Sequence, residues 1–231
     1  MASPPKTQVE DEQEVKIVLS KGDLEKVFNA LVREHAPGHI DHKYLPRHYY
    51  DTPSLDLDQN GLSVRVQYKI GKGGAVGGNE QTVKIDISKG ATLAGGALFR
   101  REIKNPMKDH APDLSIVTDK EAKAALKPYL GKPLKHIFTA AIERRYFEIE
   151  TGKGRNKGTV EVAFDVGEII LPHNGSHTPF YEIEIERKGG NAEAINRLRD
   201  QILALAPSAK VQPDPKSRQG TDAYRKSLAS P

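Results

Sequence analysis

The sequence contains no cysteine and no tryptophan, and aromatic residues make up only 6% of its 231 residues. Without cysteine the chain can form no disulfide bond, no cysteine-ligated zinc site and no thiol nucleophile. No run of about 18 apolar residues is present, so we expect no transmembrane helix and no membrane partner. The N-terminus lacks the apolar stretch of a secretion signal, and we therefore expect a cytoplasmic protein.

The sequence also lacks a strong excess of either charge. Its 35 basic and 31 acidic residues leave a net charge of +4. This balance argues against a nucleic-acid partner and predicts that charges pair or segregate locally. The hydrophobic content of 37% is low for a thick apolar interior but suits a protein with a polar middle. We expect a disordered lead-in at residues 1–8, followed by a single domain at residues 9–231.

The chain does contain short segments in which charged side chains alternate with apolar or small ones. In a β-strand, residues i and i+2 share a face, so each segment would present its charges on one side. In residues 182–186 every second residue is a glutamate. If these faces converge inside one closed sheet, the interior is a charged tube. The segments are residues 12–16, 64–66, 82–85, 100–102, 161–165 and 182–186.

The order of the predicted elements favours an antiparallel α+β fold, because helices are inserted between hairpins rather than alternating with single strands. One helix is expected after Asp23, its predicted N-cap, and others at residues 119–129 and 192–205. The glycine-rich residues 71–78 are interpreted as a loop between two strands, because a phosphate-binding loop would precede a helix. A basic, polar tail closes the chain. The strands are expected near residues 12–19, 48–51, 62–69, 81–87, 98–104, 141–150, 159–164, 168–171 and 180–187. About eight strands with alternating faces suit a closed sheet.

Two sets of charged residues on these segments could carry chemistry. Clustered carboxylates without Cys or His partners select hard cations such as Mg²⁺ or Mn²⁺. Arginine offers a two-pronged contact to phosphate oxygens, and lysine offers a point charge. A single Glu-x-Glu is more typical of a solvated strand face, but the co-occurrence of these segments indicates a metal–polyphosphate site. The candidate metal ligands are Glu12, Glu14, Glu102, Glu161, Asp165, Glu182, Glu184 and Glu186. The candidate substrate-binding residues are Lys16, Arg65, Lys84, Arg100, Arg144 and Lys216.

The order of these motifs resembles that of the CYTH-type triphosphate tunnel metalloenzymes. This family includes inorganic triphosphatases, thiamine triphosphatases and class IV adenylyl cyclases. Ser63 departs from the pattern, since many members have an arginine there, and one phosphate contact is then missing or supplied elsewhere. Lys104 stands where some members have a third acid. The matching segments are residues 12–16, 49–53, 61–65, 82–84, 100–102, 138–144, 161–167, 182–186 and 216–220.

The resemblance implies an eight-stranded antiparallel closed β-tunnel with helices packed outside, and metal-dependent hydrolysis of a triphosphate. One Mg²⁺ or Mn²⁺ would be held mainly by Glu12, Glu14 and Glu184. A second ion would lie nearer the acids expected to take part in catalysis by positioning and activating water. These catalytic candidates are Glu102, Glu161 and Asp165, and the six basic residues would hold the phosphate chain.

Inorganic tripolyphosphate is the expected substrate, because no segment visibly builds a nucleobase or thiamine pocket. An adenylyl cyclase and a thiamine triphosphatase are the alternative enzymes. A non-catalytic polyphosphate-binding module is the alternative from another class, and the sequence pI near 9.0 fits it. We expect a monomer or a homodimer.

Overall fold

The structure is a computed structural model that describes residues 7–70, 76–87, 96–107 and 111–229. Short 3₁₀ turns lie at Leu114–Ile116, Lys127–Tyr129 and Gly154–Asn156. The strands and helices follow in the order β1 (Gln8–Val18), α1 (Lys21–His35), β2 (Asp41–Asp51), α2 (Asp56–Gln59), β3 (Leu62–Ile70), β4 (Val76–Asp86), β5 (Leu98–Met107), α3 (Lys120–Leu126), β6 (Lys135–Thr151), β7 (Gly158–Leu171), β8 (Ser176–Gly190), α4 (Glu193–Leu205), β9 (Lys210–Val211) and α5 (Lys216–Ala229).

Eight antiparallel strands close into a tunnel. Their order is β5-β4-β3-β2-β6-β7-β8-β1, and β1 pairs with β5 as well as with β8, which closes the sheet. The short strand β9 extends the pairing of β1 beyond the end of β5. The predicted α+β fold, an eight-stranded closed antiparallel sheet with helices outside, is therefore confirmed.

The apolar core lies outside the tunnel, between the outer face of the sheet and the helices. Helices α1 and α4 cover the outward side chains of β1, β7 and β8, such as Val15, Phe164 and Ile183. A second cluster joins α2 and α3 to β3, β4 and β5, and a third lies under α5. Alternation along each strand thus sends apolar residues outward and leaves the inner face to the charged residues. Among the described residues, none of the helices has both the length and the apolar character needed to cross a membrane.

Local details differ from the predicted elements. The N-cap of α1 is Ser20 and not Asp23: the Ser20 side chain accepts a hydrogen bond from the Asp23 backbone N–H at 3.1 Å, and its hydroxyl donates to the Asp23 carboxylate. The two strands predicted at residues 159–171 form one continuous strand, β7. The predicted lead-in at residues 1–8 and the glycine-rich loop lie largely outside the described residues, although β1 already begins at Gln8.

The expected polar tail is instead the helix α5, which packs against the sheet. Its buried residues Lys216, Gly220, Thr221 and Tyr224 recur at helical spacing, so one face docks while the rest is polar. Gly220 lies directly against the ring of Phe138, where a Cβ atom would overlap that ring. Because this close approach sets the position of α5, it also sets the position of Lys216 at the first turn of the helix.

We predict that Gly220→Ala destabilises the protein by about 1–3 kcal/mol through overpacking, although alanine is the better helix former. Phe138 is buried and stacks on Tyr49 with ring centroids 4.4 Å apart, so its ring cannot easily move aside. The matched control is Gly22→Ala in α1, where the nearest atom to the new Cβ is the Ser20 Oγ at 3.9 Å. That variant should be unchanged or more stable by up to about 1 kcal/mol. Equal denaturation midpoints for both variants would contradict the docking of α5.

Candidate active site

The strand register brings the predicted charged segments together on the inner face of the tunnel. Lys16 lies opposite Glu184, and Glu14 lies opposite Glu186, so β1 and β8 share one acidic wall. On the other side of β1, where β5 closes the sheet, Lys84 on β4 lies opposite Glu102 on β5. These strands are distant in sequence, and only closure of the sheet makes them one site.

The interior encloses a cavity of about 230 Å³ whose described lining comprises nine basic and eight acidic residues. All six predicted substrate-binding residues line this cavity, as do six of the eight predicted metal ligands. The other two, Asp165 and Glu182, are fully buried behind the wall. The inward register predicted from the sequence therefore brings the candidate residues together.

Asp165, Glu182 and Glu184 form a buried acidic cluster in which one oxygen of each lies within 4.8 Å of the others. Three basic side chains are bound to this cluster. Arg144 donates two hydrogen bonds of 2.7 Å to Asp165 and also contacts Glu184. Lys216 lies 2.8 Å from Asp165 and 3.2 Å from Glu182, and Lys16 contacts Glu184. The close approach of the three acids thus depends on these cations.

The charges within the acidic cluster are unevenly compensated. Burial alone would raise the pKa of Asp165, but Arg144 and Lys216 outweigh it and the pKa falls below its ordinary value. The same competition, with Arg144 and Lys16 as the main cations, sets the pKa of Glu184 well below its usual range. Burial raises the pKa of Glu182, because Lys216 and Lys16 offset only part of its effect.

A second group of charges surrounds Glu102 on β5. Glu102 contacts Lys84, lies 2.8 Å from Lys104 and 3.7 Å from Arg65. These three cations outweigh burial and hold its pKa far below the usual range. Lys84 also lies 2.5 Å from Glu12, yet burial of Glu12 together with the nearby charges of other acids leaves its pKa raised.

A third group lies where β7 and β8 pair. Glu161 is opposite Glu186 in the register, and the two share Lys188, at 3.8 and 2.8 Å. Burial raises the pKa of Glu186, and Lys188 offsets this effect only in part. Like Glu12 and Glu182, Glu186 therefore carries negative charge that the neighbouring side chains do not fully neutralise.

The acids that share contacts match the two sets expected for two metal ions only in part. Glu184, expected with Glu12 and Glu14, shares Lys16 with Glu14 but also lies in the cluster with Asp165. Glu102 and Asp165, expected near one ion, have no basic partner in common among the described residues. The assignment of ligands to two ions stays a prediction.

The donor set as a whole suits a hard divalent cation. The acidic residues along the described cavity wall offer carboxylate oxygens, and this wall includes no histidine. Oxygen ligands of this kind favour Mg²⁺ or Mn²⁺ over zinc. The neighbouring cations neutralise Glu12, Glu182 and Glu186 only in part, which is a further reason for an added cation to bind here.

Three basic residues of the cavity wall were missed in the sequence: Arg47, Lys104 and Lys188. Each stands two positions from a residue with a recognised motif, namely Tyr49, Glu102 and Glu186. Arg47 and Lys188 lie just outside the strands expected at residues 48–51 and 180–187, whereas β2 begins at Asp41 and β8 ends at Gly190, so longer strands and the period-2 rule would have found both. Lys104 lies within the expected strand at residues 98–104 but was not counted among the substrate-binding residues.

The family model of the CYTH domain matches residues 10–220, and the chain belongs to the CYTH family. Among solved structures, a candidate adenylate cyclase from Bacillus halodurans is 21% identical, with a TM-score of 0.56 and coverage of 91% of this chain and 97% of the other. A candidate adenylyl cyclase from Hippeastrum, described as having a dominant triphosphatase activity, is 14% identical, with a TM-score of 0.57 and coverage of 94% and 96%. At these identities the likeness concerns the fold. No curated protein matches the sequence.

We predict opposite stability effects for two neighbouring neutral substitutions in the acidic cluster, measured without divalent metal. Asp165→Asn removes a charge that Arg144 and Lys216 require, and should cost about 3–5 kcal/mol near neutral pH. Glu182→Gln removes an under-compensated charge, and should raise the melting temperature.

The pH dependence of these effects follows from the two pKa shifts. A lowered pKa contributes stability above the unfolded-state pKa, so the Asp165→Asn deficit should persist down to about pH 4 and vanish only below it. A raised pKa has the reverse effect, so the Glu182→Gln advantage should disappear as the pH falls through the raised pKa of Glu182 and the wild-type side chain becomes protonated. The measurement is a series of melting curves between about pH 3 and pH 8, the range in which carboxyl groups titrate. A Glu182→Gln variant less stable than wild type at pH 7 would contradict the charge assignment.

Proposed function

We propose that this protein is a metal-dependent triphosphatase that hydrolyses inorganic tripolyphosphate and releases orthophosphate. The carrying observation is the cavity inside the closed sheet, in which nine basic side chains and a set of buried carboxylates face the same space. Basic side chains at this density suit a polyanion, and clustered carboxylates suit the cation that accompanies it. Membership in the CYTH family, whose structural relatives include a protein with triphosphatase activity, supports the same reading.

The lining of the cavity supports an inorganic substrate. Tyr49 is the one aromatic residue of the described cavity wall, and one face of its ring is covered by the stacked ring of Phe138. The remaining uncharged residues of this wall are Ser63, Gln67 and Ser217. A nucleobase or a thiamine ring would gain little here, because stacking platforms and apolar contacts are scarce.

A divalent cation would be held by the cavity carboxylates, for which we retain the predicted ligands. When bound, it would neutralise charge on the phosphoryl oxygens and lower the pKa of a bound water. The residues of this set are Glu12, Glu14, Glu102, Glu161, Asp165, Glu182, Glu184 and Glu186.

The basic residues of the chain would hold the phosphate chain in line. Phosphoryl transfer depends mainly on such positioning and on electrostatic stabilisation by groups already in place. Each of these side chains forms an ion pair with a carboxylate before substrate arrives, which limits its reorganisation on binding. The six residues are Lys16, Arg65, Lys84, Arg100, Arg144 and Lys216.

Among the three catalytic candidates, Glu161 is best placed to accept a proton from the attacking water. It lines the cavity, its side chain is 18% exposed, and its cationic neighbour among the described residues is Lys188 at 3.8 Å. Glu102 is engaged by three cations, and Asp165 is fully buried behind the wall. We assign Glu102 and Asp165 the role of holding basic residues and metal in position.

Product analysis tests the proposed reaction against its alternatives. Purified protein is incubated with tripolyphosphate, ATP or thiamine triphosphate, each with Mg²⁺, with Mn²⁺ and with excess chelator. We expect orthophosphate from tripolyphosphate in the presence of metal and none in chelator. Cyclic AMP from ATP would identify a cyclase, preferential release from thiamine triphosphate would identify a thiamine triphosphatase, and binding without turnover would identify a polyphosphate-binding module. Full turnover in chelator would refute the role of the metal.

We predict that Lys84→Ala lowers kcat/KM for tripolyphosphate by about ten- to a hundredfold, since a charge-assisted bond to phosphate contributes roughly 1.5–3 kcal/mol. The matched control is Arg187→Ala. Arg187 is exposed, lies out of phase with Glu184 and Glu186, and donates a hydrogen bond to the backbone oxygen of Gly190. Its loss should leave kcat/KM nearly unchanged. Equal damage in both variants would contradict the inward register of the site.

A further inference from the structure

Arg47 differs from the other basic residues of the cavity wall in having no partner. Eight of the nine basic residues form an ion pair with a carboxylate: Lys16, Arg65, Lys84, Arg100, Lys104, Arg144, Lys188 and Lys216. Within the described part of the chain, the guanidinium of Arg47 makes neither an ion pair nor a hydrogen bond. Its Nε atom is buried without a partner.

The position of Arg47 places it between two other arginines. It lies on β2, whose neighbours in the sheet are β3 and β6. Arg65 on β3 lies opposite Tyr49, two residues from Arg47 and on the same face, while Arg144 lies opposite Lys43 across β2 and β6. All three arginines line the cavity, and they form a patch of positive charge on its wall.

The charge of Arg47 is unfavourable in the free protein. Burial, followed by the charges of Arg65 and Arg144, lowers its pKa to about 10, and Tyr49 and Glu184 offset only part of this effect. Burying a charge without a partner destabilises the folded protein, and apolar packing around the charge does not offset this cost. A bound anion would remove this cost, and a phosphate group offers the oxygen geometry that a guanidinium binds with two parallel hydrogen bonds.

We infer that Arg47 is a substrate-binding residue and that, with Arg65 and Arg144, it forms the site for one phosphate group of the substrate. This inference rests on the proposed function, which it deepens. Arg65 and Arg144 each keep a carboxylate partner, so Arg47 supplies the uncompensated charge that draws the anion to this part of the wall.

The test compares wild type with Arg47→Gln, and uses Arg47→Lys and Arg187→Gln as controls. With tripolyphosphate and Mg²⁺, we expect Arg47→Gln to raise KM and to lower kcat/KM by about ten- to a hundredfold. Arg47→Lys keeps the positive charge but loses the two-pronged contact of the guanidinium, so its kcat/KM should lie between those of wild type and Arg47→Gln. Arg187→Gln removes an exposed charge and should behave as wild type.

Thermal unfolding gives a readout that does not depend on turnover. In chelator without phosphate or sulfate, Arg47→Gln should melt at or above the wild-type temperature, because it relieves repulsion with Arg65 and Arg144. Sodium sulfate, compared with sodium chloride at equal ionic strength, should raise the melting temperature of wild type and of Arg187→Gln more than that of Arg47→Gln.

The two readouts separate failure of this inference from failure of the proposed reaction. Wild type that does not hydrolyse tripolyphosphate but shows Arg47-dependent stabilisation by sulfate would retain the anion site and refute the reaction. Wild type that hydrolyses tripolyphosphate, with Arg47→Gln equal to it in kcat/KM and in the sulfate shift, would refute the role of Arg47. An Arg47→Gln variant that melts well below wild type without anions, or fails to fold, would show a structural arginine and would also overturn the inference.

Discussion

The structure depends on the pairing of opposite charges inside a closed sheet. The inner faces of the strands carry acids such as Asp165 and Glu102, which would not remain ionised when buried without cations. Arg144, Lys216, Lys84 and their neighbours provide that compensation, strand by strand, at distances set by the register. Because ion pairs such as Lys84–Glu102 and Arg144–Asp165 join different strands, the charges that bind a ligand also help to define the shape of the cavity.

A charged interior obliges the fold to build its apolar core elsewhere. The strands are apolar on the outward face, and helices α1, α4, α3 and α5 cover that face in three clusters. Helix α5 has a double role, since the contact of Gly220 with Phe138 anchors it and its first residue, Lys216, reaches the acidic cluster. Stability from apolar burial and chemistry from buried charge thus occupy opposite sides of one sheet.

Some buried acids and one buried arginine in the tunnel are not fully compensated by opposite charges. Both kinds of imbalance favour binding of a charged ligand. Glu12, Glu182 and Glu186 keep raised pKa values because burial exceeds the effect of the nearby cations, which suits an added metal ion. Arg47 is the reverse case, a cation without an acidic partner in the described part of the chain, which suits an added anion. A metal with a polyphosphate would correct both imbalances at once, and this reciprocity is the physical basis for the proposed activity.

The sequence by itself determined the class of fold and most of the wall of the site. Strand periodicity assigns Glu14 and Lys16 to one face of β1, and Glu182 and Glu184 to one face of β8, because alternation is a local property of extended backbone. Tertiary structure decided which charges meet. That Arg144 binds Asp165 depends on the pairing of β6 with β7. That Lys84 meets Glu12 depends on the closure of β1 against β5, and that Lys216 meets Asp165 depends on the docking of α5, which are contacts between residues far apart in the chain. Periodicity fixes the face on which a side chain lies, whereas only the packed strands fix its neighbours and hence its charge state.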